Sequence, residues 1–330
     1  MAINNKGVRV ILGTGGTIAG RASRPGDNVG YVAGQVRVED LLAGVPALAG
    51  VALEVEQVAQ IDSKDMHFDL WKRLLERLAH HLAREEVSGV VVTHGTDTLE
   101  ETAWFVESVL RPVKPVVFTC AMRPATALVP DGPQNLLDAV AVAGLAEVSG
   151  TVVVCAGQVH AAEHVAKVHS YRVDAFDSGD AGPLACVEEG ELRWFHRPGG
   201  VAAADVRRDG LLAQVLAAPA LPSVHIVTSH ADTEGVLVRA LLLAGEADPA
   251  LRSRGIVVAA TGNGTVHQAL GKVLNEAVAH GVRVVRATRC ARGRVIPDPA
   301  NPWPDSAGLS PVKARIALAL ALLADDSVQS

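Results

Sequence analysis

Two short stretches carry hydroxyl and carboxylate groups at spacings that suit nucleophilic chemistry. Gly13-Thr14-Gly15-Gly16-Thr17-Ile18-Ala19-Gly20 follows one apolar run, and Thr93-His94-Gly95-Thr96-Asp97-Thr98 follows another. A threonine hydroxyl is a weak nucleophile near neutral pH and becomes competent when a neighbouring base takes its proton. The first stretch lacks the three-glycine spacing of a dinucleotide loop and the Gly-Lys-Ser/Thr that cradles phosphate. It reads as a tight turn that lets backbone amides approach a ligand and presents the hydroxyls of Thr14 and Thr17. In the second stretch Asp97 is placed to orient a base or bind an ammonium group, and Thr96 to position or activate a nucleophile. Each stretch alone also has a plain structural reading, as a glycine turn or an elaborate helix cap. For Thr98, which forms a capping box with Glu101, the cap is the reading adopted. A third stretch, His160-Ala161-Ala162-Glu163-His164, has the spacing of an inverted zinc-peptidase motif, which needs both histidines on one helical turn and a further acidic ligand.

The elements that must position these groups alternate along the chain. Val8–Leu12, Val90–His94, Val116–Cys120 and Thr151–Cys155 are short β-branched runs that read as strands, with helical patterns such as Phe68–Arg84 and Glu100–Leu110 between them. The expected fold is α/β: a larger N-terminal domain with a mostly parallel sheet and helices on both faces, over residues 1–200. In open sheets of this kind ligands bind beyond the carboxyl ends of the strands, where both threonine-bearing stretches lie. Asp131-Gly132-Pro133 announces a helix beginning near Gln134, and Glu189-Gly190 between two extended runs suggests a hairpin. A loosely patterned stretch, 201–222, reads as an extended linker. Val224–Thr228, Gly255–Ala260 and Val282–Ala287 then read as strands of a smaller C-terminal α/β domain, 223–330, closed by a helix starting at Ser310-Pro311.

Composition removes several classes of function. With 330 residues, 49% hydrophobic, and a formal net charge of −6, the chain has no basic face and no expected nucleic-acid partner. Its apolar runs are short and broken by charges, so no membrane span is expected. Cys120, Cys155, Cys186 and Cys290 lack the spacing of a zinc site or redox motif and read as reduced thiols. Met1–Lys6 shows no leader pattern; a cytoplasmic location is expected, although a processed chain would look the same.

Taken together, the two threonine-bearing stretches resemble the bacterial-type L-asparaginase/glutaminase family, and the likeness extends over nearly the whole chain. Gly15-Gly16-Thr17-Ile18-Ala19 matches the first active-site motif of that family and His94-Gly95-Thr96-Asp97-Thr98 the second. Val29-Gly30-Tyr31 resembles its mobile lid and Ile61-Asp62-Ser63-Lys64-Asp65-Met66 its substrate-binding turn. Ala121-Met122-Arg123-Pro124 and Asp131-Gly132-Pro133-Gln134-Asn135-Leu136 look like its post-strand and helix-start motifs. The resemblance implies hydrolysis of L-asparagine to aspartate and ammonia. Thr17 would attack with help from Tyr31, and Thr96, Asp97 and Lys167 would form a second cluster. Attack by a water held between Thr96 and Lys167 stays open. Asp62, Ser63, Thr96, Asp97 and Thr265 would bind substrate, Ser63 its α-carboxylate and Asp97 its α-ammonium. Backbone amides near Gly16 and Thr96 would serve an oxyanion, worth about 3–4 kcal/mol per donor in other hydrolases. No metal or cofactor is implied, and a homotetramer of close dimers is.

Three departures stand out. Lys64 replaces a glutamine common in relatives, Thr265 replaces their asparagine or serine while also matching a capping box with Gln268, and the segment 294–306 has no intersubunit glutamate, only Asp298 and Asp305. The competing readings are a zinc hydrolase built on His160, Glu163 and His164, and a non-hydrolytic amino-acid-binding module or amidotransferase subunit.

Overall fold

The computed structural model describes residues 7–24, 26–197 and 210–328. The chain divides into two compact units, Met1–Asp205 and Val206–Ser330; the expected boundary at residue 200 lies outside the described residues.

The N-terminal unit runs β1 (Val8–Gly15), β2 (Arg21–Ala22), β3 (Tyr31–Val32), α1 (Val38–Ala43), β4 (Leu53–Ile61), α2 (Phe68–Leu82), β5 (Val87–Thr93), α3 (Leu99–Leu110), β6 (Val116–Thr119), α4 (Gly132–Ala143) and β7 (Thr151–Cys155). It continues through β8 (Gln158–Ala161), β9 (Ala166–Lys167), β10 (Phe176–Asp177), β11 (Ala185–Glu188) and β12 (Glu191–Trp194). Eight strands form one sheet in the order β12-β11-β8-β7-β6-β5-β1-β4. The five from β7 to β4 are parallel and the other three extend the edge antiparallel.

The strands are apolar on both sides because both sides are covered. Ile11, Val91, Val117 and Val154 share a core with Leu136, Val140 and Ala143 of α4 and Val38 of α1. The alternate residues Val10, Leu12, Val90, Val92 and Phe118 are equally buried and face the other way, where α2 and α3 pack. Trp71 of α2 stacks on Phe105 of α3 with ring centroids 4.4 Å apart, and its indole N–H donates to Thr102 Oγ1 at 2.9 Å. After β1 the chain crosses to β4 on one side, and after β4 it crosses to β5 on the other. The sheet therefore reverses its winding at β1, which opens a crevice at the carboxyl ends of β1 and β5.

The C-terminal unit contains α5 (Leu211–Ala217), β13 (Val224–Thr228), α6 (Val236–Ala247), β14 (Gly255–Ala260), α7 (Gln268–Ala279), β15 (Arg283–Thr288) and α8 (Pro311–Val328). Its three strands are parallel in the order β13-β14-β15. One face packs Ile256 and Val258 against Val238 of α6 and Leu270, Val273 and Leu274 of α7, while the other packs Val257 against Ala314, Leu318 and Leu322 of α8.

Several expectations need correction. The stretch read as an extended linker contains α5, whose Leu211 and Val215 are buried and which packs on α8. Neither proposed capping box forms: Thr98 makes no side-chain cap to α3, and α7 is capped by His267, whose ring accepts from Ala269 N–H, with Thr265 not involved. The zinc motif does not lie on a helix. His160 sits in β8, buried, with Nδ1 2.9 Å from Ser178 Oγ, and no metal-holding group of three His, Cys, Asp or Glu occurs among the described residues. The hairpin at Glu189-Gly190 is present, with both residues at positive φ, the geometry that a two-residue turn requires.

Candidate active site

The crevice is built where β4, β1 and β5, neighbours in the sheet, all end. Each strand hands over to one of the motifs: β1 to Gly16-Thr17, β4 to Asp62-Ser63 and β5 to His94–Thr98. The turns then lock together. Gly16 N–H donates to Ile61 O at 2.8 Å, Thr14 Oγ1 donates to Thr93 O at 2.9 Å, and Thr98 Oγ1 donates to Ser63 O at 2.7 Å.

Glycine is required at the centre. A Cβ on Gly16 would lie 2.2 Å from the Cα of Gly95, so the two loops touch backbone to backbone, and Gly16 also has a φ of +81°, which side chains rarely adopt. The two threonines are thereby held in one crevice from strands 79 residues apart in sequence at Thr14 and Thr93.

Thr17 lies in a 3-10 turn, 7% exposed, with Oγ1 2.7 Å from Tyr31 Oη. Tyr31 comes from β3, paired with β2 so that Tyr31 faces Ala22 across the hairpin. The ring packs over Gly20, where a Cβ would meet Cδ2 at 2.7 Å. Across the crevice Lys167 Nζ donates to Thr96 Oγ1 at 2.7 Å and to Asp97 Oδ1 at 2.6 Å. The lysine is reached by a short strand pair, β9 with β10, and its own N–H donates to Glu100 Oε1 at 3.2 Å. Its side chain is mostly covered, whereas Asp97 remains more than half exposed and open to a ligand. Ser63 is buried, its hydroxyl accepting the N–H of Asp97 at 3.2 Å. Asp62 braces the same turn, accepting Lys64 N–H at 3.4 Å and the Lys64 ammonium at 2.6 Å. That contact, with Asp65 also nearby, holds the Lys64 ammonium above the usual lysine range.

Every residue expected on the N-terminal side of the site therefore falls in one crevice. Some roles change. Thr14 and Thr98 spend their hydroxyls fastening the loops, and Gly16 N–H is already bonded to Ile61 O. The N–H groups of Thr17 and Thr96 have no acceptor among the described residues. His94 is structural: it is fully buried, Nδ1 lies 2.7 Å from Gly95 O, and burial lowers its pKa to about 4, so it is neutral at working pH. Sequence reasoning missed Glu100, whose place in the first turn of α3 resembled ordinary helix chemistry.

In the C-terminal unit Thr265 faces Thr261 across a reciprocal backbone bridge, their hydroxyls 2.8 Å apart. Asp298 and Asp305 each accept a backbone N–H two residues on, from Ala300 and Ala307, so both carboxylates serve their own turns.

Comparison with known proteins bears directly on this arrangement. Residues 9–199 match the family model described as Asparaginase, N-terminal, and residues 223–330 match the Glutaminase/Asparaginase C-terminal domain. The chain belongs to the asparaginase family. It is 35% identical to the glutaminase-asparaginase of Pseudomonas fluorescens biotype A over 95% of this chain and 85% of that protein. It is 36% identical to L-asparaginase 2 of Bacillus subtilis (strain 168) over 94% of this chain and 81% of that protein. A solved structure described as a probable cytoplasmic L-asparaginase from Campylobacter jejuni superposes with a TM-score of 0.84 at 37% identity, covering 96% of this chain and 95% of that one. The α/β architecture, with its large mixed sheet and smaller C-terminal unit, is thus an asparaginase fold. Within it the crevice at β4, β1 and β5 is the candidate active site.

Proposed function

We propose that this asparaginase-family chain hydrolyses L-asparagine to L-aspartate and ammonia, with Thr17 as the nucleophile. The observation that carries the proposal is the pairing of each threonine hydroxyl with its own proton partner, Thr17 with Tyr31 and Thr96 with Lys167, on loops in backbone contact.

In this reading the α-ammonium of the substrate sits on the exposed side of Asp97 and its α-carboxylate at the Ser63 turn. As Thr17 Oγ1 forms a bond to the amide carbon, its proton passes to Tyr31 Oη while the phenol proton moves on toward the departing amide nitrogen. The oxyanion takes hydrogen bonds from the N–H groups of Thr17 and Thr96. The C–N bond then breaks, the nitrogen takes a proton and leaves as ammonia, and an ester to Thr17 remains. Water adds to that ester, aspartate departs, and the Thr17 hydroxyl is restored. Lys167, bonded to Thr96 and Asp97, orients this second half of the site and suits the activation of water there. Side activity on L-glutamine is part of the proposal, because one relative is a glutaminase-asparaginase and Lys64 departs from the family at the substrate turn.

We assign residues 1–200 to the catalytic N-terminal domain and 223–330 to the C-terminal domain; the 201–222 stretch carries α5, which packs on α8. A homotetramer is proposed, and the exposed Val236, Leu237 and Leu243 on α6 supply an apolar face suited to self-association. We propose a cytoplasmic location, in line with the Campylobacter jejuni neighbour; among the described residues no helix is long and apolar enough to cross a membrane.

The test is ammonia release from L-asparagine, L-glutamine and D-asparagine, with and without a chelator. Chelator-insensitive release from L-asparagine is expected, abolished by Thr17→Ala and by Thr96→Val while both variants stay folded. A Thr17→Ala protein that turns over at the wild-type rate would refute the nucleophile assignment.

A further inference from the structure

Tyr31 is held over Thr17 by a hairpin of two-residue strands, far too short to keep its place alone. Its outer edge is fastened to a segment that no motif assigned to the site. Ala125 N–H donates to Gly20 O at 3.1 Å and Gly26 N–H to Thr126 O at 3.4 Å, both backbone links. The remaining link depends on a side chain: Ala22 N–H donates to Thr126 Oγ1 at 3.0 Å. Ala22 is the residue that pairs with Tyr31, so the Thr126 hydroxyl supplies an acceptor where a third strand would. The segment itself is well anchored, since the Asp131 carboxylate accepts the N–H groups of Met122 and Arg123 at 2.9 and 3.0 Å. Beyond β3 the chain is tied back by Gly34 N–H on Gly16 O at 3.0 Å and by the N–H groups of Gln35 and Val36 on Ala19 O at 2.7 and 2.9 Å, which leaves the β2 edge as the side from which Tyr31 can be unseated from Thr17.

We propose that Thr126 is a positioning residue for the reaction: its hydroxyl clamps the edge of the hairpin and governs how much of the time Tyr31 is seated on Thr17. The kinetic part of this inference rests on the proposed asparagine hydrolysis; the clamp itself does not. Thr126→Val keeps the shape and removes the acceptor, and Thr126→Ser keeps the acceptor.

Loss of one neutral hydrogen bond shifts a local equilibrium roughly fivefold. We therefore expect Thr126→Val to lower kcat/KM for L-asparagine by about fivefold and Thr126→Ser to restore it. In a Tyr31→Phe background the same Thr126→Val change should have no further effect, whereas a general structural role would lower the rate equally in both backgrounds. Tryptic cleavage at Arg21–Ala22, read by mass spectrometry without substrate, should be about fivefold faster in Thr126→Val than in wild type or Thr126→Ser. Thr126→Ala, which cannot overpack, repeats the comparison if the valine variant melts early. Wild-type cleavage and turnover in Thr126→Val, or full additivity with Tyr31→Phe, would overturn the clamp. If the wild-type protein releases no ammonia, the functional reading falls while the order of cleavage rates still decides the role of Thr126.

Discussion

Adding one methyl group at Gly95 tests the packing of the site most directly. Gly95 is not among the positive-φ glycines, so alanine meets no conformational barrier there and the cost is purely steric. The new Cβ would lie 2.5 Å from Ser63 Oγ, 2.7 Å from Ser63 Cβ and 3.0 Å from the Cα of Gly16, against ordinary contact beginning at 3.4 Å. Ser63 must therefore retreat by about 1 Å, and Gly16 by a few tenths. Overpacking of this kind costs about 1–3 kcal/mol, and two contacts well inside van der Waals range place it near 2–3 kcal/mol. For a unit of this size that lowers Tm by about 5–10 °C. Activity should fall further than stability. Ser63 Oγ accepts the N–H of Asp97, and a displacement of about 1 Å in a positioning group costs about 100-fold in rate. Calorimetry and ammonia release on the same samples separate the two effects. Ser63→Gly in the Gly95→Ala background removes both clashing atoms, so part of the Tm should return while activity does not. A Gly95→Ala enzyme with wild-type Tm and kcat/KM would refute the packing argument, and so would a double variant that melts below both single ones.

Two further outcomes follow from groups in the same loops. Burial lowers His94 to about 4 from 6.5, so between those values the unfolded chain binds a proton that the folded chain refuses. This contribution to stability is complete above pH 6.5 and is lost as pH falls, by roughly 2 kcal/mol at pH 5. His94→Asn, whose amide can still donate to Gly95 O, should flatten the fall in urea midpoint between pH 7.5 and 5; an unchanged slope would mean that another group takes the proton. Thr98→Val removes one of two donors to Ser63 O, which keeps the Met66 N–H at 3.0 Å, at a cost of about 0.5–1.5 kcal/mol. It should raise KM for L-asparagine through the Ser63 turn. A change in stability with KM untouched would return Thr98 to the role of a helix cap.

The strands legible in the sequence are the ones buried on both faces. Thr151–Cys155 and Gly255–Ala260 occupy the stretches read from their β-branched runs, because burial on both sides demands unbroken apolar sequence. β4 escaped notice for the converse reason. It is an edge strand, so Glu54 and Glu56 alternate with Leu53 and Val55, and both carboxylates are spent on side chains from α2 and its end, Arg77, His81 and Arg84. Yet β4 delivers the Ser63 turn, and its Leu-Glu-Val-Glu alternation was the available signal. Local spacing also misassigned hydroxyls. Thr98 and Glu101 have the separation of a capping box, but the hydroxyl bonds 35 residues back, to Ser63 O, a partner that no short-range pattern encodes. Asp131, before α4, likewise turns to Met122 and Arg123 and makes no cap. Lys167 was legible through family resemblance alone, since it meets Asp97 across 70 residues of chain.

The two halves of the crevice are held in different ways, and the difference bears on how a substrate can enter. Thr96 and Asp97 stand on a loop fixed at both ends, by His94 N–H on Thr119 O and by Thr98 on Ser63, with Lys167 pinned from the side by Glu100. Thr17 stands opposite Tyr31, on a hairpin with two paired residues per strand and exposed Val29 and Val32 along it. Attack requires an amide carbon within about 3–3.5 Å of Thr17 Oγ1. Thr17 is buried, with the Tyr31 hydroxyl already against its Oγ1. Under the proposed mechanism the hairpin must yield before the amide arrives and return before the proton moves, while the Ser63–Asp97 side would receive the amino-acid end of the substrate without rearranging. Binding and chemistry are thus assigned to structures of unequal stiffness. Substitutions on the Thr96 side should act on affinity and rate together, whereas those along the Tyr31 hairpin should act through the fraction of bound substrate that finds Thr17 activated.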